Sequence, residues 1–195
     1  MFRKLLTKLL LLLSFLSFIL PLQAQHRKAI LPDYATLQYA GSIGFVSGGF
    51  GYRNGRQNLE SELLAGYLPP SIGGDRLFTA ALKSNWMPLV LFRDKPIHFY
   101  PLHTGLMLTY TFGDQFFERP PSHYPKGYYT FSTAIHAYWQ FGSRLSLPLQ
   151  NRRLEVYYEL NASAEEIVSM IQNPRFLTPD KIFSLAIGVK LNFEP

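Results

Sequence analysis

The chain has 195 residues and no cysteine, and setting aside three cations near its start leaves Lys+Arg at 19 − 3 = 16 against Asp+Glu 13. A nearly balanced charge reads as a solvated surface rather than a nucleic-acid footprint, and the missing cysteine excludes disulfides, thiolate zinc sites and a lipidated N-terminal cysteine together. Only 16% of residues are charged, below the roughly 25% usual in soluble domains.

Residues 1–24 read as a processing signal. Arg3, Lys4 and Lys8 form a basic start, Leu9 to Leu20 an apolar core, and Leu22-Gln23-Ala24 offers a small residue for cleavage before Gln25. The apolar run is too short to make a good transmembrane helix. Residues 25–195 are then one domain. No later segment approaches the length of a membrane-crossing helix, so any insertion must use β-strands.

After a polar lead-in to Asp33, Leu37, Tyr39, Ile43 and Phe45 alternate with Gln38, Ala40, Ser42 and Gly44, and Phe50 and Tyr52 follow in the opposite phase. The phase change predicts a bulge or turn around Ser47, Gly48 and Gly49, leaving either one bulged strand or two short ones. Asn54-Gly55 marks a turn. The next strand, Leu59 to Leu68, sets Leu59, Leu63, Ala65 and Tyr67 opposite Glu60 and Glu62. Beyond a Pro/Gly loop, Leu77 to Met87 sets Phe78, Ala80, Leu82 and Trp86 against Thr79, Lys83 and Asn85.

Pro101 cannot donate to a ladder, so the following strand is expected to begin at Leu102, with His103, Gly105, Met107, Thr109 and Thr111 on its polar face. A long loop, Gly113 to Gly127, precedes the strand Tyr128 to Phe141. There Phe131, Ile135, Ala137, Trp139 and Phe141 face one way, and Ser132, His136, Tyr138 and Gln140 the other. A turn over Pro148 to Arg152 leads to Leu154–Asn161, with Glu155, Tyr157 and Glu159 on the polar face. Ser163 and Glu166 form a capping box ahead of Ile167, Val168, Met170 and Ile171, which predicts a short helix. The last strand, Ile182 to Phe193, turns Ser184, Ala186, Gly188, Lys190 and Asn192 to one side.

The polar faces carry Gly, Ala, Ser, Thr and Tyr with a few charges of both signs, where a face meeting bulk water would carry many lysines and glutamates. This suits a narrow closed lumen with apolar residues outside. The fold class expected is therefore all-β: an antiparallel transmembrane β-barrel, eight-stranded if Thr36–Gly44 supplies the first strand, with a short helix in the last long loop. A soluble periplasmic lipocalin-like barrel, apolar inside, is the alternative for the same alternation.

Over roughly Leu37 to Phe193 the chain resembles the small eight-stranded outer-membrane β-barrel proteins of Gram-negative bacteria, through its signal peptide, alternating strands and a last strand ending near Phe193. The resemblance implies an outer-membrane location, membrane lipid as surroundings, and the barrel-assembly machinery as a partner that reads the terminal aromatic. Glu194 and Pro195 follow Phe193, a departure from that pattern. The class includes adhesins, anchors and lipid A enzymes, so the fold does not fix a function.

The enzyme alternative is a lipid A deacylase-like hydrolase using Ser132, His136 and Glu159. Ser132 and His136 would be roughly 13 Å apart on one strand, too far for a nucleophile and its base. The expected role is therefore structural or binding, with a lumen network of Lys83, His103, Tyr138, Glu155, Tyr157, Glu159 and Lys190, and no cofactor, metal or nucleic acid. His98, His103 and His123 have no metal-specific spacing. Binding falls to the loops that carry Phe116, Phe117 and Tyr124 and to the Ile167–Ile171 helix, and the sequence names no extracellular ligand.

Overall fold

The alternation closes on itself. The computed structural model describes residues 31–119, 131–175 and 178–193; the signal segment, His123, Tyr124 and Tyr128 lie outside these. Eight strands, each antiparallel to the next, form a closed barrel in which the eighth pairs with the first. They are β1 Tyr34–Ala40, β2 Val46–Arg53, β3 Leu59–Leu68, β4 Leu77–Trp86, β5 His98–Phe112, β6 Ile135–Leu149, β7 Arg152–Ser163 and β8 Ser184–Asn192. Among the described residues, three helices lie in the connections: α1 Pro70–Gly73, α2 Ala164–Gln172 and α3 Pro179–Ile182. The described chain ends and the β2–β3, β4–β5 and β6–β7 connections share one end of the barrel, here the terminus end. The other connections share the opposite, loop end.

Several boundaries differ from the sequence expectation. The phase change between β1 and β2 comes from a turn over residues 41–45, where Gly41 and Ser42 take φ of 80° and 69°. Ser47, Gly48 and Gly49 are ordinary members of β2. Because the turn releases Ile43 from strand parity, its side chain is 1% exposed rather than outward, packed with Leu64, Ala81 and Met107. β5 begins before Pro101: Tyr100 pairs with Arg144 but His103 with Gly142, so Pro101 and Leu102 together oppose Ser143. The bulge excuses the proline from the ladder.

β6 starts at Ile135 instead of Tyr128 and runs on to Leu149, with the turn at Gln150 and Asn151. Ser132 accepts from the Ala134 and Ile135 amides and donates to the Phe117 carbonyl, shaping the entry to the strand rather than facing the lumen. Ile182 belongs to α3, not to the last strand. The β4–β5 connection, residues 87–97, is longer than the loop over 69–76, although it lies at the terminus end.

α2 opens on the capping box read from the sequence. Ser163 Oγ accepts from the Glu166 amide at 3.1 Å, and Glu166 Oε2 accepts from the Ser163 amide at 3.0 Å. Ser163→Ala is expected to cost the helix roughly 1 kcal/mol, read as faster amide exchange over residues 167–172 with the strands unchanged.

Side chains sort by parity. Outward Leu63 and Leu106 are 65% and 68% exposed, while Glu60, Lys83, Glu159 and Lys190 are 0% exposed inside. Around the loop end, outward aromatics meet in sequence: Tyr39 with Phe45, Tyr67 with Phe78, Tyr110 with Phe112, and Trp139 with Phe141 and Phe183, at centroid separations of 4.9–6.4 Å. Tyr52, Trp86 and Phe92 are exposed toward the terminus end. The interior is thus polar and the exterior apolar, the reverse of a lipocalin-like barrel.

Candidate functional site

Two linked clusters fill the interior. Toward the terminus end, Arg144 on β6 grips Glu60 on β3 with both terminal nitrogens, at 2.6 and 2.7 Å, and reaches Glu155 on β7 at 2.9 Å. Arg53, at the end of β2, donates to the same two carboxylates at 2.7 and 2.8 Å. Lys190 on β8 bonds Glu60 at 2.6 Å and also Glu62, while Asn192 and Thr36 donate to Glu155 and Glu62.

Deeper in, Lys83 on β4 donates to Glu159 on β7 at 2.6 Å and to Gln38 at 3.1 Å. His103 Nε2 lies 3.1 Å from the other Glu159 oxygen, and Tyr157 donates to Gln38 at 3.0 Å. Asn85 and Gln140 extend the chain of bonds. The carboxylates Glu60, Glu62, Glu155 and Glu159 thus face an equal number of cations, Arg53, Lys83, Arg144 and Lys190. Desolvation of an unpaired charge costs several kcal/mol, and close pairing offsets it.

Tyrosine rings join the clusters. Lys190 lies over both Tyr34 and Tyr157, with 4.8 and 5.3 Å to the centroids, within range for cation–π attraction. Their cross-strand partners are Gly51 and Gly188. A Cβ at either glycine would collide with the tyrosine ring, so these glycines supply the space in which the rings lie across the lumen.

Above the charges, toward the loop end, Ile43, Leu64, Ala81 and Met107 form an apolar layer with Tyr138 packed against it. Beyond it, a cavity of about 350 Å³ opens among Ser42, His136, Tyr138, Glu165, Lys181 and Phe183. A second, of about 250 Å³, lies at the terminus end beside Asp33, Arg53, Arg153 and Asn192.

Of the residues singled out from sequence, Lys83, His103, Tyr157 and Glu159 meet in the deeper cluster and Glu155 and Lys190 in the other. Tyr138 sits apart, at the apolar layer. The hydrolase candidates do not converge. Glu159 is held by Lys83 and His103, Ser132 by the loop backbone, and His136 by Glu165 at 3.1 Å and the Thr133 carbonyl at 3.2 Å. Among the described residues, no group of three His, Cys, Asp or Glu side chains could hold a metal ion.

The sequence reading missed Arg53 and Arg144 in the network. Its strand boundaries stopped short of both, yet the parity of His136, Tyr138 and Gln140 continues to Gly142 and Arg144. No family model matches the chain, and neither does any curated protein or solved structure.

Proposed function

We propose that this chain is an outer-membrane β-barrel whose interior is a structural scaffold and whose loop end carries a binding role. The carrying observation is its sidedness: fully buried ion pairs inside, and a continuous wall of exposed Leu, Ile, Val and Phe outside, edged by aromatic side chains. Soluble monomers rarely expose apolar patches larger than a few hundred Å². Transmembrane barrels have an apolar band with aromatic girdles and a polar interior.

An eight-stranded barrel is only wide enough for side chains to fill it, and here Arg144, Lys83, Lys190, Tyr34 and Tyr157 do so. Recognition then belongs to the loops. On α2, Val168 and Ile171 are 37% and 71% exposed, giving an apolar contact face beside the cavity at the loop end. Assembly through the barrel-assembly machinery and removal of residues 1–24 complete this reading.

Fractionation of expressing cells tests the location. The protein should partition with outer membranes and shift its gel mobility on boiling, as closed barrels in detergent do. Recovery in the soluble periplasmic fraction would overturn the reading. For orientation, protease added to intact cells should cut beside Arg119 in the β5–β6 loop, since the longer loops of such barrels face outward. Cleavage there only after lysis would invert the orientation.

A further inference from the structure

We infer that the β4–β5 connection, residues 87–97, is an anchor for anionic phospholipid headgroups at the terminus end of the barrel. The inference rests on the membrane reading above and adds a site to it. Leu89, Leu91, Phe92 and Ile97 are 44–58% exposed in this one connection, an unusual concentration of apolar surface in a loop.

The connection is held in shape. Leu91 and Phe99 exchange backbone hydrogen bonds at 2.7 and 3.1 Å, the Lys95 amide donates to the Phe92 carbonyl, and Arg153 on β7 donates to the Pro96 carbonyl at 2.9 Å. Phe92 takes φ of 59°, a conformation that bulky residues rarely adopt. Strain of this kind persists only where surrounding structure imposes it and clusters at functional positions. Here it turns an aromatic outward at the tip.

Two further observations specify the occupant. The first is continuity with the apolar wall: Leu91 pairs with Phe99, Phe99 with Leu145, Leu145 with Val156, Val156 with Val189 and Val189 with Leu37. Whatever solvates that row also meets the connection. The second is charge: exposed Arg93 and Lys95 stand at the tip, with Lys95 Nζ 5.1 Å from the Phe92 ring centroid. Arg56 in the β2–β3 turn and Arg152 at the start of β7 are also exposed, and the acids described on the surface at this end are Asp33 and Asp94, Glu60, Glu62 and Glu155 being buried inside. Apolar side chains beside a surplus of cations match an acyl region capped by phosphates.

The absence of cysteine permits single-site labelling. Phe92→Cys, Phe50→Cys and Gln57→Cys, each carrying an environment-sensitive fluorophore on the full-length chain, would be reconstituted in vesicles of phosphatidylcholine alone or equimolar phosphatidylcholine and phosphatidylglycerol. Labels at 50 on the wall and at 92 should be quenched by spin-labelled lipid, and the label at 57 should not. At position 92, spin-labelled phosphatidylglycerol should associate more strongly than phosphatidylcholine, and Arg93→Ser or Lys95→Ser should each reduce that preference by roughly fivefold. A label in lipid at 50 but in water at 92 would overturn this inference and leave the membrane reading standing. So would a preference absent or unchanged in both serine variants. A label in water at 50 would overturn both.

Discussion

Arg144→Met should destabilise the folded barrel by about 3–5 kcal/mol, the cost of leaving buried carboxylates without their partner. Arg144 is 1% exposed and supplies three charge-assisted bonds, two to Glu60 and one to Glu155. Methionine fills much of the volume but returns none of the charge. Urea titration of the folded protein, followed by the heat-dependent gel shift, measures the loss. Adding Glu60→Gln should recover part of it, because the double variant restores the balance of signs, whereas independent effects would add. A loss below about 1 kcal/mol for the single variant would mean that the network is hydrated and weakly coupled.

Leu106→Arg separates the two solvents that could bathe the exterior. Leu106 lies halfway along β5, points outward and is 68% exposed. In a bilayer, arginine near the midplane of a barrel wall costs about 2–4 kcal/mol. On a water-facing surface the same change stays within about 0.5 kcal/mol. Urea unfolding from phospholipid vesicles should therefore show a lowered midpoint. The corresponding change at Arg56, Arg56→Leu, lies in an exposed turn and should move it little. An unchanged midpoint for Leu106→Arg would argue that this wall faces water.

Strand parity made much of the architecture legible in advance. Glu60, Glu62, Lys83, Glu159 and Lys190 alternate with leucines and aromatics over long runs, so their common face could be assigned without knowing which strands pair. Parity fails wherever the chain leaves the ladder. Ile43 shares the phase of Leu37 and Tyr39, yet the left-handed turn at Gly41 and Ser42 swings it into the barrel end. Ser132 shares the phase of His136, but it lies in the bend that precedes β6. Arg53 and Arg144 escaped for the opposite reason: the ladder extends beyond the last patterned aromatics, Tyr52 and Phe141, to Arg53 in β2 and Leu149 in β6. Which carboxylate meets which cation depends on cross-barrel distances, and these follow from closure rather than from any local pattern.

Closure also imposes an order on folding. Every strand pairs with its sequence neighbour except at the seam between β1 and β8, so the other hairpins close over connections no longer than residues 113–134, while the seam must join the first strand to the last. Non-local pairings of this kind are the slow ones, because the entropy of a long loop is lost before its contacts form. Lys190 arrives with β8, and its partners Glu60 and Glu62 wait on β3. Before the seam zips, the remaining interior charges, Arg53, Lys83 and Arg144 against the same carboxylates, leave an excess of negative charge that only a hydrated, open sheet can tolerate. The last strand is therefore both the final staple of the wall and the counter-ion that lets the inside dry, so drying and sealing are a single event.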